Sequence, residues 1–180
     1  MKIRKTEIEG VFIIENFNSS DDRGSFTKTY HNEFFEESGF CTNFKESYFS
    51  ISKKNVIRGM HFQLPPYDHE KLVYVAKGEV VDVILDMRKK SDTFGKTISI
   101  VLNDNNHRSV YIPKGLAHGF KSMVDNTIMI YNVSTVYNNE ADYGVRFDSI
   151  DFNWYMDIPI ISNRDKSLTT FEEFKKSNPF

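Results

Sequence analysis

Apolar positions in this chain recur in short runs of five to eleven residues, many of them alternating, with polar turn-forming clusters between them. The runs fall at 11–15 (VFIIE), 24–30 (GSFTKTY), 46–52 (ESYFSIS), 71–77 (KLVYVAK), 79–87 (EVVDVILDM), 96–102 (KTISIVL), 109–113 (SVYIP), 118–123 (HGFKSM) and 127–137 (TIMIYNVSTVY). They are rich in Val, Ile, Tyr and Phe, whose branched or flat side chains pack on a pleated surface, and their spacing predicts an all-β barrel or sandwich. One more run, VIRGMHFQ at 56–63, is strand-like and is stopped by LPP. Helical signals are confined to EFFEES, after His31 and Asn32, and to SLTTFEEFKKS near the end. Ser and Thr offer caps to the second, Glu precedes Lys on its face, and both segments are expected at the periphery. SSDDRG at 19–24 and NDNNHR at 103–108 read as loops. Gly78, between KLVYVAK and EVVDVILDM, reads as a tight turn that makes those two runs antiparallel partners. With no repeat, low-complexity tract or linker, one domain over 1–180 is expected.

Composition narrows the function classes. A net charge of −2 gives no electrostatic reason to expect a nucleic-acid partner, so any phosphate recognition must be local. The single cysteine, Cys41, excludes an internal disulfide and a cysteine metal cluster, and is expected to be a small buried hydrophobe. MKIRKTEIEG lacks the apolar run of a signal peptide, and no window is long and apolar enough for a transmembrane helix, which makes the cytoplasm the default location.

Chemistry is concentrated around a few polar residues on strand-like runs. Strict alternation over 56–63 sends His61 and Gln63 to one face and Arg58 to the other, unless the strand bends at Gly59. His61 is then either a satisfied core histidine or a chemical group at a barrel mouth, where side chains from several strands converge. A site that works with side chains alone needs an acid, a base and an oxyanion stabiliser. His61 can supply the base, Lys71 a cation for an enolate, and Tyr131 a proton from the opposite side. A histidine base gains from a carboxylate that fixes its tautomer. Asp165, at the end of ISNRD, is either that carboxylate or a solvated charge beside a helix.

Two spacings resemble the cupin pattern: PxGxxH ending at His118, and GxHxQ with EK following it. Gln63 stands where cupins usually place a second metal-binding His, and only His69 and Glu70 could substitute, which argues against a metal. The whole ordered series, DDRGSF, S-I-S before VIRGMHFQLPP, KLVYVAKGEVVDVILDMRKKSDTFG, YIPKGLAHGF, IYNVSTVY and ISNRD, resembles the dTDP-4-dehydrorhamnose 3,5-epimerase family over about residues 5–170. That resemblance implies a cupin-type jelly-roll barrel with a few short helices. It implies a homodimer acting, without metal or other cofactor, on a nucleotide-diphospho-4-keto-6-deoxysugar in deoxysugar or surface polysaccharide biosynthesis. By the same resemblance His61 is the base paired with Asp165, Lys71 steadies the enolate oxygen and Tyr131 is the opposing acid. Arg23, Arg58 and Arg164 match positions at the phosphates or their neighbours, Phe26 and Tyr137 match aromatics near the nucleoside, and His118 matches the sugar pocket. The β-rich VFIIE is a candidate to add to a partner's sheet. Two positions and one segment depart from the family pattern. Lys28 replaces a usual Glu and Glu46 a usual Gln, both at expected ligand contacts, so the nucleotide can be GDP, CDP or UDP rather than dTDP; and NWYMDIPI lacks the usual tryptophan-proline ending.

Overall fold

Two antiparallel sheets account for most of the runs read from the sequence. The structure, a computed structural model, describes residues 1–156 and 158–180; Asp157, inside NWYMDIPI, lies outside them. In chain order the first half contains β1 (Lys2–Lys5), β2 (Phe12–Glu15), β3 (Phe17–Asp21), β4 (Gly24–Lys28), α1 (Asn32–Glu37), β5 (Glu46–Ser52), β6 (Ile57–Gln63) and β7 (Lys71–Lys77). The second half contains β8 (Glu79–Asp86), β9 (Thr97–Asn103), β10 (Arg108–Ile112), β11 (Leu116–Ser122), β12 (Thr127–Val133), β13 (Asp142–Gly144), α2 (Asn163–Lys166) and α3 (Phe171–Phe174). One sheet has the order β1-β2-β10-β7-β12-β5 and the other β13-β6-β11-β8-β9, while β3 and β4 form a separate hairpin. This is a jelly-roll sandwich, and its core lies between the sheets. Val73, Val75, Val110 and Met129 from the first meet Val80, Ile84, Leu102 and Phe120 from the second.

Three expectations are corrected here. Gly78 does not join partners: β7 pairs with β10 and β12, and β8 with β11 and β9, so Gly78 is a corner where the chain crosses between sheets. Its φ of +85° and the 2.5 Å that would separate an added Cβ from Thr127 Oγ1 make glycine necessary there. A hairpin turn and a sheet-crossing corner place the same demand on that residue, so local sequence does not distinguish them. VFIIE is not a sheet edge, because β2 is hydrogen-bonded on both sides, by β1 and β10; the N-terminal edge is β1. SSDDRG is largely strand, with β3 running to Asp21; β3 is mostly exposed, so no apolar alternation marks it.

The outer faces are also covered. α1 buries Phe35 with Phe40, Leu72 and Tyr111 outside the six-stranded sheet, and Cys41 packs, half-buried, against that cluster. On the other sheet α3 buries Phe171 and Phe174 against Phe62, Leu85 and Met87. Its start is fixed by a capping box in which Thr170 and Glu173 satisfy each other's backbone N–H groups.

Candidate active site

The strand β6 resolves the facing problem of Arg58 and His61 with a bulge. Its register against β11 sets His61 opposite His118 but Arg58 opposite Phe120, so one extra residue of β6 is taken up between them. Gly59 holds that place with φ +131°; an added Cβ would lie 2.5 Å from the Cα of Gly119 on the neighbouring strand. The bulge turns Arg58 and His61 to the same side, where both line a chamber of about 200 Å³ between the sheets.

Asp165 is buried and faces His61. Ser162 caps α2 by accepting the Asp165 N–H at 3.0 Å, which aims the carboxylate back toward β6. Its Oδ1 lies 2.8 Å from His61 Nε2, and its Oδ2 accepts the Gly59 N–H at 3.2 Å. Burial opposes ionisation of Asp165, yet the hydrogen bonds from His61 and the Gly59 amide, with the Arg164 charge nearby, hold the carboxyl below its ordinary range. Burial also pulls His61 below 6.5, with Asp165 acting in the opposite direction without reversing it. The pair is therefore a neutral imidazole donating Nε2–H to a carboxylate. In that tautomer Arg164, whose NH1 sits 3.2 Å from Nε2, cannot donate to it, and the basic lone pair is on Nδ1.

The opposite wall comes from the six-stranded sheet. Lys71 is buried on β7, donates to the His61 carbonyl at 3.1 Å, and is pulled by burial to about 8, with Asp82 and Asp142 pushing it back up. It remains mostly an ammonium at neutral pH. Tyr131 on β12 lies 3.3 Å from Ser50 Oγ, and burial holds its phenol well above the ordinary range, so it stays protonated at neutral pH. His118 is buried with Nε2 2.6 Å from Asp82 Oδ1, while Asp82 Oδ2 has no partner among the described residues.

A second chamber of about 380 Å³ adjoins the first and shares Tyr48, His61 and Lys71 with it. Arg164, Tyr137 and Glu46 line it. Arg164 pairs with Asp142 at 2.8 Å, and Glu46 accepts the Tyr137 N–H at 2.9 Å. Gln63 fastens the surrounding loops, accepting from Asn138 N at 2.7 Å and donating to the Tyr67 carbonyl at 2.8 Å. His69 stands beside it, kept neutral by burial, which lowers it to about 3. Among the described residues no three His, Cys, Asp or Glu side chains cluster as metal ligands.

Nine of the twelve residues singled out in the sequence are thus gathered by one chain: His61, Asp165, Lys71, Tyr131, Arg58, His118, Glu46, Tyr137 and Arg164. Arg23, Phe26 and Lys28 are not; they sit on the exposed β3–β4 hairpin, with Arg23 bound to Asp21. Asp82, Tyr48 and Ser50 were missed. Only Asp82 carries a signal, as an acid in the middle of an apolar strand.

Inverting a carbon beside a carbonyl requires proton removal on one face and return on the other. His61 and Tyr131 belong to different sheets of one jelly-roll sandwich and face a common chamber, an arrangement compatible with that chemistry. The chain belongs to the dTDP-4-dehydrorhamnose 3,5-epimerase family, whose pattern matches residues 5–173. It is 38% identical over 168 residues to the dTDP-4-dehydrorhamnose 3,5-epimerase of Shigella flexneri, covering 92% of this chain and 93% of that one. The Bacillus anthracis dTDP-4-dehydrorhamnose 3,5-epimerase, solved with TDP and PPi bound, superposes with a TM-score of 0.91 at 35% identity, over 94% of this chain and 98% of that one. A 3'-monoepimerase from Streptomyces bikiniensis, in complex with dTDP-quinovose, superposes with a TM-score of 0.90 at 26% identity, over 96% and 89%. The fold is accordingly the cupin-type jelly roll, and the chain is a nucleotide-sugar epimerase.

Proposed function

We propose that this epimerase inverts C3 and C5 of a nucleotide-diphospho-4-keto-6-deoxysugar with side chains alone. The observation that carries the reading is the buried His61–Asp165 pair at 2.8 Å, on one wall of a chamber that Lys71 and Tyr131 line from the other sheet. His61 Nδ1 removes the proton beside the C4 ketone, and the C–H electron pair becomes the C=C bond of an enolate. The ketone's π electrons move onto oxygen, where the Lys71 ammonium balances the charge. Tyr131 then donates its phenolic proton to the opposite face, the ketone re-forms, and imidazolium and phenolate return to their starting states by proton exchange with solvent. Arg58 holds the diphosphate, His118 the sugar, and Arg164 and Tyr137 the nucleotide end in the outer chamber.

The site is completed by a second copy of the chain. Arg23, Phe26 and Lys28 contact ligand by family resemblance but stand away from both chambers in one chain. A homodimer in which each hairpin reaches the other's outer chamber accounts for this. Its support is apolar exposure: Phe26, Phe49 and Ile51 are 59%, 64% and 56% exposed, the last two on the edge strand β5. The chain acts as one domain in the cytoplasm, a compartment that suits its free Cys41.

The test is proton NMR in D2O with dTDP-4-keto-6-deoxyglucose, following the C3 and C5 signals. Loss of both signals with inversion is expected, and His61→Ala should abolish exchange at both carbons. Loss of one signal would make this a single-site epimerase. With no exchange, the same assay on GDP-, CDP- and UDP-linked keto-sugars decides whether the departures at Lys28 and Glu46 changed the nucleotide. Inactivity on all of them with intact ligand binding would replace the enzyme with a binding module.

A further inference from the structure

A second phenol lies against the proposed acid and has no place in the proton-transfer scheme. Tyr48 is directly opposite Tyr131 across the β5–β12 ladder, and their rings stack with centroids 4.9 Å apart and planes 18° apart. His118 meets the Tyr131 ring at 6.2 Å and 71°, an edge contact. Ser50, two residues from Tyr48 on the same face of β5, lies 3.3 Å from the Tyr131 hydroxyl. The acid is thus held on its face, its edge and its oxygen, and β5 supplies two of the three contacts. Burial pushes the Tyr48 phenol up to about 12, so at working pH it offers Tyr131 a neutral surface and not a charge. Its ring also lines both chambers, at their junction.

Serving two carbons on either side of one ketone requires the same phenol oxygen to reach two positions relative to the bound sugar. The lateral freedom of Tyr131 therefore controls which carbon receives a proton and from which face. We infer that Tyr48 is a positioning residue: its stacked ring blocks Tyr131 from swinging toward the β5 edge and so sets the partition of protonation between C3 and C5, and between inversion and return on the original face. This rests on Tyr131 being the opposing acid.

The experiment compares Tyr48→Phe, which keeps the stack, with Tyr48→Leu and Tyr48→Ile, which keep an apolar strand residue without the ring. Each is checked for folding by circular dichroism before it is assayed. In D2O with dTDP-4-keto-6-deoxyglucose, NMR gives the C3-to-C5 exchange ratio and the number of exchange events per inversion. Tyr48→Phe should leave both ratios unchanged. The aliphatic variants should shift one or both by about two- to tenfold, the range that an aromatic pair's contribution allows. A uniformly slower reaction with unchanged ratios in the aliphatic variants would overturn the inference, as would an equal shift in Tyr48→Phe, which would assign the effect to the hydroxyl. Tyr131→Phe runs alongside: full inversion by that variant would remove Tyr131 as the acid, whatever Tyr48 does, whereas exchange without inversion supports it.

Discussion

The proposed scheme needs a neutral His61, and burial and Asp165 act on it in opposite directions with burial prevailing. Lys71, one wall away, is subject to the same desolvation, which brings its ammonium to about 8. The two groups must be in opposite protonation states, His61 neutral and Lys71 charged. The kcat/KM profile should therefore rise as pH climbs through a His61 pKa below 6.5 and fall as pH passes about 8. Lys71→Met should lower kcat about a hundredfold or more and remove the alkaline limb, because the developing enolate loses its only adjacent ammonium in the scheme. A wild-type kcat/KM that stays level to about pH 9.5 would exclude Lys71 as the titrating cation. At this scale the residue types were legible in the sequence: RGMHFQ, Lys71, Tyr131 and ISNRD stand out by kind and order. The burial of Asp165 was not, since an aspartate in a four-residue helix is ordinarily solvated and only its packing against β6 removes it from water.

The bulge in β6 is the element on which the site depends. Without the extra residue at Gly59, Arg58 and His61 would face opposite sides, and the Gly59 N–H that anchors Asp165 would be misdirected. A side chain there meets both an unfavourable φ and the Gly119 backbone. Gly59→Ala should cost about 2–4 kcal/mol in denaturant unfolding and lower kcat more than KM, since the base and its carboxylate lose alignment. An alanine variant of wild-type stability would show that the strand accommodates the methyl group and that the close approach to Gly119 is dispensable. The alternation around Gly59 raised the possibility of a bend in the sequence. The partner strand that makes the bend obligatory, β11, is more than fifty residues away and could not be read from it.

At the scale of the whole molecule, the hairpin and the exposed β5 edge point outward from a site that lacks three of its expected contacts. Sedimentation should give about twice the 21.0 kDa chain mass. His61→Ala and Arg23→Ala are each expected to be defective alone. After subunit exchange in an equal mixture, half the dimers are hybrids with one intact site, so about a quarter of wild-type activity should return. A 21.0 kDa species alone, or no recovery after exchange, would place Arg23 outside the partner's site.

Most strands were readable from the chain, because period-two alternation is a property of neighbouring residues, and so was the chemical inventory, because side-chain types are written there directly. Short polar strands such as β1, β3 and β13 escaped, since exposed segments need no apolar pattern. Long-range packing fixed which strands pair, that Gly78 turns between sheets, that Asp165 and Asp82 are buried against histidines, and that Tyr48 stacks on Tyr131. Every strand presents the same backbone donors and acceptors, so hydrogen bonding alone specifies no partner. The choice is made when complementary apolar faces from distant segments close on one another, and the site exists where that closure leaves polar side chains from both sheets facing one chamber.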